Sequence, residues 1–457
     1  MSSNLYSEDM YRFDQAEPSY WEATGGELMP HASSLSGDAK CEVAIIGGGY
    51  TGLSAAYHLC RDYQIDTRVL EAGHIGWGAS GRNGGFCSMG GTSLGTLGLI
   101  RKYGVKNTRD FYQAQLDAVE LVRNIILDEQ IDSPIQGDCE IEVACSAGAF
   151  EELKELAELQ FCQLGLDTAV LTKDQVKEAF FDFPLQSGAI TQRPTFGIHP
   201  LRYARGLADA AVRRGAILHT QSQVLEWTKD GEYHFLRTAT GSLRAKYVIV
   251  ATNGFTPESL HRGFHGKTLP LISSIVVTRP LSTTELEAHR WQTESPTITS
   301  LDLLDYFRIL PDKRLMLGGR GSSDGSSRNA QANFSKIIAR VGQLFPQWRD
   351  VEVEYSWHGL VCLTRRLTPA VGRLDDDPST FYAFGYHGNG VNNSTWCGKQ
   401  VADWLAHTGR DDRRIPDSLP VVMRGMPGGF PLPSLRLLYV QARVAAFRLT
   451  DWWQNRK

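Results

Sequence analysis

The sequence predicts a mixed α/β fold in which a parallel βαβ layer is interleaved with an antiparallel sheet and followed by a C-terminal helical tail. Three stretches support this. Residues 41–73, CEVAIIGGGYTGLSAAYHLCRDYQIDTRVLEAG, give a buried strand, a glycine turn, an amphipathic helix and a second strand. Residues 270–356 instead alternate β-type runs with polar turns, the pattern of an antiparallel sheet. The segment STFYAFGYHGNGVNNSTWCGKQVADWLAHTG returns to the first style, with a strand to Tyr386, a glycine turn, and a helix from about Asn392 to His407.

Composition narrows the class. With 457 residues there is room for about three compact units of roughly 150 residues each. Apolar residues at 42% and charged residues at 21% describe an ordinary globular chain. A net charge of -4 offers no field for gripping a phosphate backbone, so nucleic acid is not an expected partner. The N-terminus is acidic and aromatic, unlike a secretory signal, and no run of about 18 apolar residues exists to span a bilayer. Eight scattered cysteines form no zinc-type spacing, so no metal is expected and reduced thiols in a cytoplasmic setting fit best.

Between the defining stretches the elements follow in order. GHIGWGASGRNGGFCSMGGTSLGTLG, after the βαβ unit, is too glycine-rich for a regular helix or strand and is expected to be a long loop that lets something approach the backbone. Residues 108–130 and 149–163 carry helical periodicity with charged outer faces. HPLRYARGLADAAVRRGAILHTQSQVLEW reads as a helix, a turn at Gly215 and a strand, and LRAKYVIVATNGFTP as a β-branched strand running into Thr252, Asn253 and Gly254.

The chemistry lies in the glycine turns. Gly47-x-Gly49-x-x-Gly52 follows a strand and opens a helix at Tyr50 and Thr51, and Glu71, with Ala72 beside it, ends the next strand about 20 residues on. Gly47 permits the tight turn, Gly49 lets the backbone reach a pyrophosphate, Gly52 permits close helix packing, and Glu71 would accept ribose hydroxyls. This fingerprint suits NAD or FAD. The loop Gly78-Ala79-Ser80-Gly81-Arg82-Asn83-Gly84-Gly85 argues for FAD, whose ribityl chain and ring need close backbone approach. At the other end, Gly385-Tyr386-His387-Gly388-Asn389-Gly390-Val391 feeds a helix whose N-terminus would favour the anionic charge of a reduced flavin.

In this order, GGGYTG, LEAGHIGWGASGRNGG, ATNGFTP and GYHGNGV resemble the D-amino-acid oxidase-like family of FAD-dependent amine oxidoreductases, over roughly residues 18–400. The resemblance implies a Rossmann-type FAD-binding domain from segments 40–88, 200–262 and 357–408. It implies a substrate domain from segments 89–199 and 263–356, with a linker and helical tail at 409–457. It also implies FAD contacts at Thr252, Asn253 and Gly254, and a backbone contact near the adenine at Val224, in the strand after Gly215. The implied activity is oxidation of an amine C–N bond to an imine that water hydrolyses, by hydride transfer to flavin N5, with oxygen or quinone as acceptor.

No obligatory side-chain base is evident. Trp357, Tyr386 and His387 are candidate walls of the substrate cavity, and Arg82, Arg308 and His358 candidate polar groups. Some members hold a substrate carboxylate through a Lys just after the last glycine turn, where this chain has Asn392. Others use an Arg in the segment around Leu360–Leu363, which has none here. A polyamine derivative such as a gamma-glutamyl amine therefore gains weight over an α-amino acid. A secondary amino acid, an NAD-linked dehydrogenase and a non-catalytic flavin-binding subunit are the alternatives. Cys362 is a minor candidate for covalent FAD attachment, non-covalent FAD being the expectation. The tail, LRLLYVQARVAAFRLTDWWQNRK, is apolar nearly all round, with Arg436, Arg443, Arg448, Arg456 and Lys457; residues 430–457 could lie on a membrane surface or pack on protein.

Overall fold

A computed structural model describes residues 5–27, 32–301, 304–321, 325–407, 414–432 and 435–438. After helix α1 (Tyr20–Thr24), the first βαβ unit is β1 (Gly37–Ile46), α2 (Tyr50–Tyr63) and β2 (Thr67–Leu70). Next come α3 (Ala79–Arg82), β3 (Phe86–Cys87), α4 (Gly95–Asp128), β4 (Glu140–Ala144), α5 (Ala147–Leu159), β5 (Asp167–Thr172), α6 (Lys173–Ala179), β6 (Gly188–Arg193) and β7 (Phe196–Gly197). Helix α7 (Pro200–Arg213) leads to β8 (Ile217–His219), β9 (Glu226–Asp230), β10 (Tyr233–Arg237) and β11 (Gly241–Val250). The next portion holds β12 (Leu269–Pro280), α8 (Thr283–Ala288), β13 (Thr297–Thr299), β14 (Tyr306–Ile309), β15 (Arg314–Arg320), α9 (Ser327–Leu344) and β16 (Val353–Leu363). Strands β17 (Ala370–Arg373) and β18 (Thr380–Phe384) then precede α10 (Gly390–His407).

These strands form two large sheets. The first has the order β17-β18-β11-β1-β2-β8, with β9 and β10 attached to the early half of β11. Pairings from β18 through β8 are parallel. Its central strands are apolar on both faces: Val43, Ala44, Ile45, Val248 and Ile249 are all fully buried. The second sheet has the order β16-β12-β15-β14-β13-β4-β6-β5. One face packs Ile141, Val143, Val276, Phe307 and Leu317 against Phe181, Phe345 and Trp348.

The structure departs from the sequence reading at several points. The glycine-rich stretch is not loop throughout: α3 forms one turn because the Asn83 amide Nδ2 caps the carbonyls of Ala79 and Ser80, each at 3.0 Å. Helix α4 likewise begins at Gly95, ahead of residue 108, with a kink at Gly104, where φ is 79°. The second sheet is not purely antiparallel, since β13 runs parallel to β4. Strand β16 stays paired with β12 as far as Leu363, so the boundary expected at 357 falls inside a strand. Val224 lies in the connection between β8 and β9, not within a strand, and α10 starts at Gly390.

The expected tail helix lies mostly outside the described residues. Arg436, read as part of a membrane-facing basic set, is buried; it donates to the Thr268 carbonyl at 2.5 Å and pairs with Glu258. No helix among the described residues is long and apolar enough to cross a membrane.

Candidate functional site

The ends of β1, β2, β11 and β18 converge on one cleft. Gly47 turns the chain at φ 109°, with a would-be Cβ only 2.8 Å from the Ala251 carbonyl oxygen, so glycine is required there. Gly49 opens toward the cleft, its would-be Cβ meeting only the Ser80 hydroxyl. Ser80 Oγ accepts from the Tyr50 amide at 3.0 Å and so caps the start of α2. Gly390, the first residue of α10, also borders the cleft. Two helix N-termini therefore open on one space, an arrangement that favours negative charge.

Glu71 ties the first turn together. Its Oε2 accepts from the Gly48 amide at 2.6 Å and its Oε1 from the Gly73 amide at 2.8 Å, while burial raises its carboxyl above the usual range. Each oxygen retains acceptor capacity toward the cleft. Across the cleft, the Tyr386 hydroxyl lies 2.6 Å from Thr51 Oγ1. Asn253, in the left-handed region at φ 47°, accepts from the Gly385 amide through Oδ1 at 2.9 Å. The three glycine-bearing motifs thus meet, although they are far apart in sequence.

His387 also takes a left-handed conformation, φ 54°. Its Nε2 accepts from the Thr364 amide at 3.3 Å, which leaves Nδ1 to carry the proton toward Ser93 Oγ at 2.9 Å. Burial pulls its pKa down to about 3, so the ring is neutral. Cys362 lines the same cleft as a buried thiol pushed up to about 12.

Of the residues singled out in the sequence, Gly47, Gly49, Tyr50, Thr51, Glu71, Ala72, Gly78, Ala79, Ser80, Asn83, Val224, Thr252, Asn253, Tyr386, His387, Gly388 and Gly390 line the cleft. Gly52, Gly81, Gly84, Gly85, Gly254, Gly385, Asn389 and Val391 do not; several are close-packing positions instead. A Cβ on Gly52 would stand 2.0 Å from the Gly47 carbonyl oxygen, and one on Gly85 2.2 Å from that of Ile198.

Four of the six side chains proposed for catalysis are also off the lining. Arg82 donates to the Trp77 carbonyl at 2.6 Å and to Glu17 at 3.1 Å. Arg308, fully buried, donates to Gln136 Oε1 at 2.6 Å and to the Ile198 carbonyl at 2.5 Å, and burial lowers it to about 9. Trp357 donates to the Arg82 carbonyl at 2.9 Å. His358 sits 3.6 Å from Glu17. All four engage protein groups around the glycine loop, and only Tyr386 and His387 reach the cleft.

The sequence reading missed an aromatic wall. Phe13, Trp77 and Phe255 line the cleft, with the Trp77 ring 4.5 Å from Phe13 and 5.3 Å from Phe255. Trp77 sits inside the quoted glycine loop and could have been noticed; Phe13 arrives from the N-terminal segment with no local signal.

The glycine turns, the carboxylate and the two helix N-termini suit a dinucleotide cofactor. The family model described as FAD dependent oxidoreductase matches residues 42–404. The chain belongs to this DAO family. Gamma-glutamylputrescine oxidoreductase of Escherichia coli (strain K12) is 30% identical over 441 residues, 95% of this chain and 98% of that protein. Glycine oxidase of Bacillus subtilis (strain 168) is 23% identical over 393 residues, 82% of this chain and 97% of that one. The crystal structure of glycine oxidase from Geobacillus kaustophilus superposes with a TM-score of 0.67 at 21% identity, covering 80% of this chain and 95% of that chain, and so shares the fold. Membership of the DAO family makes the cofactor FAD and the protein an oxidoreductase, which removes the NAD-linked and non-catalytic alternatives.

Proposed function

We propose that this DAO-family enzyme oxidises a C–N bond of a small-molecule amine, with FAD held non-covalently in the cleft. The observation that carries the proposal is the convergence of the first glycine turn, Glu71 and the Tyr386–Gly390 turn on one cleft, closed by the Thr51–Tyr386 hydrogen bond. The named activities of the relatives on gamma-glutamylputrescine and glycine support the amine class. Bound there, FAD would accept a hydride equivalent from the carbon bearing the nitrogen, leaving an imine that water hydrolyses.

The chain's own groups have separate roles in this reading. Glu71 and the start of α2 hold the ribose and pyrophosphate end, and the N-terminus of α10 favours anionic charge at the ring by about 0.3–2 kcal/mol. Neutral His387 and Tyr386 border the reacting region without adding a cation. Arg82, Arg308, Trp357 and His358 brace the glycine loop from behind. The cofactor domain comprises segments 40–88, 200–262 and the region after β16, and the substrate domain segments 89–199 and 263–363. Arg436 docks the described part of the tail on the protein, so the peripheral membrane contact proposed for residues 430–457 falls to the part beyond residue 438, with oxygen or quinone as acceptor.

The test is anaerobic bleaching of the flavin band by polyamines, gamma-glutamyl amines, cyclic secondary amino acids and D-amino acids. Rapid bleaching by one class supports the proposal, and readmitted air or added quinone then reads the acceptor. A flavin that stays oxidised with every amine overturns it.

A further inference from the structure

Residues 12–19, RFDQAEPS, form neither helix nor strand and lie ahead of the residues matched by the family model. Both ends of this stretch are anchored. Ser19 caps α1, accepting from the Glu22 amide at 3.1 Å. Helix α1 is tied to α7 by Arg205, which donates to Glu22 at 2.8 Å, and by Arg202, which donates to the Thr24 carbonyl at 2.9 Å. On the other side, the Tyr6 hydroxyl donates to the Pro270 carbonyl of β12 at 2.6 Å, and Met10 is buried beside Ile272. The stretch is therefore a strap from the second sheet to α7.

Along its length the strap grips the glycine loop. The Gln15 carbonyl accepts from Trp77 Nε1 at 2.6 Å, and Glu17 Oε2 accepts from Arg82 at 3.1 Å. Just past the strap, Trp21 Nε1 donates to the Asn83 carbonyl at 2.9 Å. The Arg82 guanidinium lies over the Trp77 ring, 4.2 Å from its centre, so the strap holds both members of a stacked pair. The side chain of Arg82 is 4% exposed, and Glu17 is the carboxylate that pairs with it. Glu17 Oε1 also lies 3.6 Å from His358 on β16, so one side chain touches the glycine loop and the second sheet.

The same loop borders the cofactor. Gly78, Ala79, Ser80 and Asn83 line the cleft, as does Trp77. The strap itself contributes Phe13, whose ring is 4.5 Å from that of Trp77. The Phe13 carbonyl accepts from Gln221 at 3.3 Å, two residues ahead of Gln223, which also lines the cleft. Phe13 is thus held to two of the segments that form the cleft wall.

We propose that this N-terminal strap is the outer part of the FAD site. Phe13 walls the cofactor directly, and Glu17 is a positioning residue that acts through Arg82 to keep the glycine loop closed on it. Residues 14–16 and 18 are exposed, so the strap can lift as a local unit while both sheets stay folded, and FAD leaves when it lifts. The inference rests on FAD occupying the cleft and is independent of which amine is oxidised.

The experiment uses the full-length FAD-loaded enzyme with no amine present. FAD release after dilution is followed by flavin fluorescence in the wild type, Glu17→Gln, Glu17→Asp and Phe13→Ala. Release should be about tenfold or more faster in Glu17→Gln and in Phe13→Ala, with part of the loss recovered in Glu17→Asp. The flavin-free variants should melt close to the wild type. Arg82→Gln should also speed release, and adding Glu17→Gln to it should change little more, because Glu17 acts through that side chain. Hydrogen exchange of the holoenzyme at residues 78–85 is the second readout, and it should be faster in Glu17→Gln. Release and exchange that stay at wild-type rates in Glu17→Gln and Phe13→Ala overturn the proposal, as does a loss of flavin-free stability large enough to account for the faster release. Additive effects of Glu17→Gln and Arg82→Gln overturn the positioning role. FAD that cannot be released at all counts against non-covalent binding alone; exchange at 78–85 then decides, faster exchange in Glu17→Gln supporting the strap and unchanged exchange overturning it.

Discussion

The Thr51 hydroxyl and the Tyr386 hydroxyl lie 2.6 Å apart, joining residues separated by 335 positions in the chain. The pair fastens the first turn of α2 to the glycine turn before α10, so the two halves of the cleft hold each other in register. A buried hydroxyl pair contributes about 0.5–1.5 kcal/mol, and stranding one partner costs about 1–3 kcal/mol.

Tyr386→Phe and Thr51→Val should each weaken FAD binding by about 2- to 20-fold. In the double variant the losses should be clearly less than additive, because one bond is removed in each case. Flavin fluorescence titration of the four proteins measures the coupling; strictly additive losses would show that the pair does not act as a unit.

Two glycines of the first turn should respond differently. Gly52→Ala sets a Cβ 2.0 Å from the Gly47 carbonyl oxygen, a backbone atom that cannot yield, so lost stability of about 1–3 kcal/mol or more and poor folding are expected. Gly49→Ala meets only the movable Ser80 hydroxyl. It should fold with a near-normal melting temperature and yet bind FAD poorly. Equal loss of stability in both variants would contradict this division between packing and cofactor access.

Cys362 is a buried thiol with its pKa pushed up to about 12, so thiolate is scarce at neutral pH. Cys362→Ser should retain its flavin content. Acid precipitation of the wild type should leave a colourless pellet and a yellow supernatant; a yellow pellet that turns colourless in Cys362→Ser would instead show covalent attachment.

Stability of the flavin-free protein should fall on both sides of a mildly acidic optimum. Glu140 and Glu142, raised to about 7 in the folded state, contribute stability that is fully present below the unfolded value near 4.5 and is lost as pH rises through 7. For Glu140 this is on the order of 3 kcal/mol. His58, fully buried and lowered to about 4, contributes stability that is present above its unfolded value near 6.5 and lost as pH falls through 4. Denaturant melts from pH 4 to 8 should show the alkaline decline flattened in Glu140→Gln/Glu142→Gln. An unchanged slope would mean these carboxyls titrate normally.

The parts of the site that are legible in sequence are those whose signal is local. Gly47, Gly49 and Gly52 sit between an apolar strand and a helix, so their spacing alone indicates a nucleotide turn, and Glu71 follows at the end of the next strand. Trp77 and Phe13 meet only when the N-terminal segment packs across the glycine loop. Arg308 illustrates the opposite error: a conspicuous cation in an antiparallel strand suggests a substrate group, yet it is fully buried and bonded to Gln136 and the Ile198 carbonyl.

What the sequence determined by itself is the cofactor-binding layer, because glycine turns, alternating apolar runs and helix starts act through neighbours within a few residues. Tertiary structure decided which side chains face the cleft, that β16 remains in the second sheet through Leu363, and that Glu140 is buried with no ion pair among the described residues. Those outcomes depend on strand register and on contacts between segments hundreds of residues apart, where a single β-strand step turns a side chain from one face to the other.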